Sequence, residues 1–131
     1  MIARSSLGPV AMLALAIALL GGPQASAFQP NSFTFTPTFK DPDPGKRQWE
    51  KTGNGYVEKL PSGRVNNFKL EKESHVHGLA GVVIRKVEEP NFFVFIADSQ
   101  AARPELYWWR DKGPWNFMGV MKDVRAPQNF D

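Results

Sequence analysis

Six consecutive apolar residues, Phe92, Phe93, Val94, Phe95, Ile96 and Ala97, constrain this chain more than any other feature. Most are aromatic or β-branched, and Pro90, Asn91 and Asp98 bound them, so they read as a strand. Successive strand residues point to opposite faces. Phe93 and Phe95 therefore share one face, while Phe92, Val94 and Ile96 share the other. Neither face offers water a polar group, so the strand needs cover on both sides.

The rest of the chain reads in the same way. Asn54-Gly55 is a tight-turn pair between residues 48–51 and 56–60. Gly63 closes a short loop before residues 64–72, whose Phe68 and Leu70 fall on one face. Residues 79–84 lead through Glu88, Glu89, Pro90 and Asn91 into the apolar run. Residues 106–109 and 115–124 flank a five-residue turn at 110–114. About seven strands in residues 48–124, with hairpin-length connections, predict an antiparallel meander. Because one strand needs cover on both faces, the fold class is all-β, a small barrel or two-sheet sandwich. No helical period follows residue 27, although a short helix at 99–102 is compatible with the pattern. Aromatic clusters recur at unequal spacings, which is no repeat architecture.

Both ends of the chain read differently. Residues 1–27 carry one charge, Arg4, then an apolar run from Val10 to Leu20, helix-breaking Gly21, Gly22 and Pro23, and the small residues Ala25, Ser26 and Ala27. The run is too short to cross a bilayer and has the length of a signal-peptide core. Cleavage after Ala27 is expected, leaving residues 28–131 with no later stretch that spans a membrane. In residues 28–47, Phe33, Phe35 and Phe39 recur, and threonines alternate with the first two until Pro37 interrupts. This segment is read as an edge strand or strap, with the folded unit starting near Gln48. Residues 125–131 are read as a loose tail that Phe130 could dock.

Composition removes several functions. With no cysteine, there is no disulfide, thiol chemistry or Cys-bound zinc, so an exported domain must hold by packing alone. That suits a periplasmic or extracellular bacterial setting. Without Arg4, 15 Lys and Arg face 13 Asp and Glu, too balanced and too dispersed for a nucleic-acid partner. No nucleophile motif or phosphate loop is present. Ser62, Ser74 and Ser99 lack a triad pattern, and the carboxylates of Glu50, Glu58, Glu71 and Asp98 are scattered over strands and loops. Glu58 alternates with Tyr56 and Leu60, so it is expected to face inward as a paired structural group. His75 and His77 stand two apart, as a strand-borne chelate would require. They lack an evident third ligand, so no metal and no other cofactor is expected.

The aromatic residues carry the strongest functional signal, 16 in all and every one beyond residue 27. Tyr107, Trp108, Trp109 and Trp115 bracket a hairpin turn, so their rings lie on neighbouring strands. Trp108 and Trp109 must face opposite ways, and Arg110 shares the Trp108 face. Trp109 is thus expected in the core and Trp108 outside. The functional expectation is an exported, non-catalytic, monomeric or weakly oligomeric module. It would bind a ligand through an aromatic surface of Tyr107, Trp108, Trp109 and Trp115, with carbohydrate favoured. The alternative is a protein-interaction module, an inhibitor or envelope-assembly component, that docks through residues 28–47. A metal protein or small hydrolase around His75 and His77 is a weaker alternative.

Overall fold

The computed structural model describes residues 28–38, 40, 43–100 and 103–126. The expected signal peptide, residues 1–27, lies outside the described residues, as do Phe39 and the tail from residue 127.

Among the described residues, nine strands form one antiparallel sheet. In chain order they are β1 (Ser32–Phe35), β2 (Arg47–Lys51), β3 (Gly55–Lys59), β4 (Val65–Val76), β5 (Leu79–Lys86), β6 (Phe92–Ala97), β7 (Glu105–Arg110), β8 (Asn116–Val120) and β9 (Lys122–Arg125). From β1 to β8 each strand pairs with its successor. The exception is at the ends, where β9 pairs with β1. Because β8 and β9 are consecutive, separated only by Met121, the meander nearly closes into a barrel. The Met121 N–H still donates to the Pro104 carbonyl beside β7, at 2.7 Å. Four residues later the Arg125 carbonyl accepts from Asn31 N–H, also at 2.7 Å. A single stretch thus crosses from one edge of the sheet to the other. No helix occurs among the described residues.

The strand count exceeds the expected seven for two reasons. Residues 115–124 split at Met121, where the chain changes partner. Residues 28–47, expected as an edge strand or strap, contribute β1 to the barrel wall, hydrogen-bonded to β9 on one side and β2 on the other. The alternation of Phe33 and Phe35 with threonines turns both rings inward, where they are fully buried. The sheet therefore begins well upstream of Gln48.

The inner face fills one half of the barrel with aromatic residues. Trp49 stacks on Phe33 at 5.5 Å between ring centroids and packs against Phe68 at 5.0 Å, with Phe35 and Tyr56 beside it. Ile84, Val94, Ile96 and Leu106 continue this core from β5 to β7. Tyr56 donates its hydroxyl to the Pro30 carbonyl at 2.6 Å. Burial raises the pKa of that hydroxyl far above its ordinary value, so it stays a neutral donor.

The apolar run at β6 is covered on both sides, as its composition requires. Val94 and Ile96 face the barrel core. Phe95, on the outer face, is as deeply buried as they are. Its cover comes from the long β4–β5 hairpin, which bulges between Leu70 and Lys72 and continues to Val76. Val76 is buried, and Gly81 leaves room for the Phe95 ring: a Cβ there would approach the ring within 2.5 Å. Trp115 packs edge-on against Phe95 from the other side, at 6.1 Å.

Candidate functional site

The inward alternation that builds the core in one half of the barrel places different chemistry in the other. At the end bounded by the β3–β4, β5–β6 and β7–β8 turns, a cavity of about 570 Å³ opens to solvent. Phe68, Phe92, Trp108, Leu60 and Met118 form its apolar wall. Phe92 and Trp108 are neighbours on β6 and β7 and stack at 6.1 Å with 23° between their planes.

Four cations, Arg47, Arg64, Lys86 and Arg110, line the same cavity, with Glu58 as the one carboxylate among its lining residues. Arg47 Nη1 donates to Glu58 Oε2 at 3.2 Å, and Asn66 Nδ2 donates to Glu58 Oε1 at 2.9 Å. Both carboxylate oxygens are thereby engaged within the protein. Lys86 and Arg110 stand over the Phe92 ring, 5.8 and 5.1 Å from its centroid. Each also reaches Glu89 in the β5–β6 turn. Arg64 makes no ion pair among the described residues and is exposed.

A second concavity lies on the outside of the wall, across β4 to β7. Trp109 packs on Phe93 at 5.3 Å and on Trp115 at 6.3 Å. Arg85 covers the Phe93 ring at 4.8 Å and makes a two-pronged bond to Glu71, at 2.8 and 3.0 Å. That contact holds the Glu71 carboxyl below the usual carboxylate range. Lys72 and Ser74 complete a groove of about 480 Å³.

The four aromatic residues expected to form one surface are therefore divided. Trp109 and Trp115 meet in the outer groove. Tyr107 lies on the same outer face but is buried beneath His77 and Phe117, its hydroxyl bonded to Glu105 at 2.6 Å. Burial and then Glu105 raise its pKa. Trp108 and Trp109 do face opposite ways, but the expected assignment is reversed: Trp108 points into the barrel and Trp109 out. The reasoning from Arg110 failed because this end of the barrel is an open, charged cavity, in which an inward arginine keeps its contact with water.

Of the two histidines weighed as a strand-borne chelate, His75 lies on β4 and His77 lies just beyond its end. His77 sits at the hairpin turn with a positive φ of 51°. Its ring packs on Tyr107 at 4.9 Å, and its Nε2 is 3.2 Å from the Trp115 carbonyl oxygen. Among the described residues no three His, Asp or Glu side chains gather in metal-binding geometry. Glu58 is inward and paired, as its alternation indicated. Its partner was missed because Arg47 falls in the segment read as an edge strand or strap outside the folded unit, although its spacing of two from buried Trp49 marks it as inward. Lys86, Phe92 and Arg110 were missed because each is the last inward residue at the cavity end of its strand.

Comparison of the chain with protein-family models, curated proteins and solved structures returns no match.

Proposed function

We propose that this protein is an exported, non-catalytic binding module that takes a small molecule into the open end of its barrel. The observation that carries this reading is the cavity left where the inward-facing core stops. Its volume falls within the roughly 300–1,000 Å³ common for small-molecule sites, and the mouth of a β-barrel is a favoured place for one. Its composition also suits binding, with an apolar wall and a few converging polar groups. The docking-strand alternative finds little support, because both edges of β1 are hydrogen-bonded within the barrel.

The test is titration with an uncharged environment-sensitive probe, N-phenyl-1-naphthylamine, followed by its fluorescence. Saturable binding with one site per chain is expected, strongly weakened by Trp108→Ala and unchanged by Trp109→Ala. No saturable binding, or loss only in Trp109→Ala, removes the cavity as the site.

A specific observation favours a second reading, carbohydrate binding in the outer groove. Trp109 and Trp115 present partly exposed rings beside the Glu71–Arg85 pair. Aromatic faces stack on the C–H faces of sugars, and a carboxylate–guanidinium pair can accept from and donate to neighbouring hydroxyls. A glycan array with wild type and Trp109→Ala tests it, with loss of any bound glycan in the variant as the expected result.

A further inference from the structure

We infer that the ligand of the barrel cavity is a single-headed anionic amphiphile, a medium-chain carboxylate being its simplest form. The inference rests on the cavity reading above and concerns the chemistry of the occupant.

The charges of the lining do not balance. Arg47 and Glu58 neutralise each other, and Asn66 takes the other Glu58 oxygen. The Glu58 charge is thus already paired and offers a cationic ligand no uncompensated partner. Arg64, Lys86 and Arg110 remain at the opening. Glu89 offsets one of these three charges by bridging Lys86 and Arg110. Both cations retain donors beyond those contacts, since an ammonium carries three and a guanidinium five. Arg64 has no ion partner among the described residues. The opening therefore has an excess of positive charge and unused N–H donors. In a concave, partly desolvated site, such an excess focuses the field and attracts an anion.

The wall beneath these cations has the opposite character. Phe68, Phe92, Trp108 and Met118 can bury an apolar body but give it few hydrogen bonds. Lys86 illustrates the geometry: its side chain is only 17% exposed, with its stem inside and its ammonium over Phe92. A ligand complementary to both layers carries one anionic head at the rim and an apolar tail below it. A neutral sugar would leave the cations unused, and an alkylammonium would meet them with like charge.

The experiment is isothermal titration of the intact mature chain with decanoate, decanol and decyltrimethylammonium, each below its aggregation concentration, and with adenosine monophosphate. Decanoate is expected to bind at least tenfold more tightly than decanol, and the ammonium not at all. Raising the salt concentration should narrow the gap between the first two. Arg64→Gln should lower decanoate affinity severalfold and leave decanol unchanged. Its exposed side chain makes no ion pair among the described residues, so this variant keeps its fold where Lys86→Met or Arg110→Gln could lose theirs. Equal binding of decanoate and decanol overturns the inference while leaving the cavity as a binding site. Tighter binding of the nucleotide than of decanoate overturns it in favour of a flat, phosphate-bearing ligand. If neither the amphiphiles nor the uncharged probe binds, the cavity reading falls as well.

Discussion

Arg47 and Glu58 meet diagonally across β2 and β3 with 3.2 Å between Nη1 and Oε2, and their side chains are 6% and 2% exposed. Two charges so far from water are costly unless they hold each other. Replacing either one breaks that hold. Glu58→Gln or Arg47→Met is expected to cost about 3 kcal/mol. The double variant should cost clearly less than the sum of the two, because neither charge is then left behind. Urea unfolding of the four proteins measures the coupling. Strict additivity would show that the pair does not act as a unit.

The barrel seam depends on a residue without a side chain. Gly119 on β8 lies against Phe35 of β1, and a Cβ at Gly119 would come within 2.6 Å of the Phe35 ring. Thr38 ties the same seam, its Oγ1 donating to the Met118 carbonyl at 3.1 Å. Gly119→Ala is expected to cost about 1–3 kcal/mol through overpacking. Pairing it with Phe35→Leu should recover part of that loss by making room. Thermal melts of the single and double variants decide this. A Gly119→Ala protein as stable as wild type would mean the seam is looser than described.

Phe95 is expected to be the most costly single ring to remove on β6. It is fully buried although it faces outward, and Phe95→Ala should cost about 3–5 kcal/mol. Phe93, two residues earlier on the same face, is only half-buried and should cost markedly less. Denaturant curves for the two alanine variants provide the comparison. Similar costs would show that the β4–β5 hairpin does not shield Phe95 selectively.

This contrast also marks how far the sequence could be read. Six apolar residues in a row required cover on both faces, and the period-2 pattern with its turn signals gave an antiparallel meander. Nothing in the local pattern said that the outer cover would be the tip of the β4–β5 hairpin, since that depends on the bulge at Leu70 and Lys72 bending a twelve-residue strand. Pro37 made residues 28–47 read as an edge strand or strap outside the folded unit. That reading hid the fact that Phe33, Phe35, Arg47 and Trp49 continue one inward alternation. The cavity was hidden for a related reason. Its walls are ordinary inward positions, and only closure of the sheet reveals where core packing ends.

The outer groove predicts a pH effect. Glu71 is held ionised chiefly by its hydrogen bond from Arg85, and its pKa is lowered in the folded state. A lowered carboxylate pKa stabilises fully above the unfolded value, and the contribution is lost as pH falls through the folded value. Glu71→Gln should therefore flatten part of the acid limb of stability against pH, with little change in its shape above the ordinary carboxylate range. Glu88, held down mainly by Asn67, should supply a similar dependence that the variant leaves in place. Melting temperatures from pH 2 to 7 test this. An acid limb identical in wild type and Glu71→Gln would show that the pair contributes nothing.

Trp108 and Trp109 separate the two proposed sites with one experiment. They are consecutive on β7, so the wall of the barrel lies between their rings. Trp108 stacks with Phe92 inside the cavity, and Trp109 packs with Phe93 and Trp115 outside. Each is half-buried, so each alanine variant should cost about 1–2 kcal/mol of stability, less than Phe95→Ala. Their binding defects should not overlap. Trp108→Ala removes one of the two stacked rings of the cavity wall, and should weaken both the uncharged probe and decanoate tenfold or more. It should leave any glycan bound in the outer groove in place. Trp109→Ala should do the reverse. Phe92→Ala should follow Trp108→Ala, and Trp115→Ala should follow Trp109→Ala, since each removes the stacking partner on the same side. If both tryptophan variants lose the same ligand to the same degree, the barrel wall does not separate two sites, and the assignment of Trp108 to a cavity distinct from the outer groove is wrong.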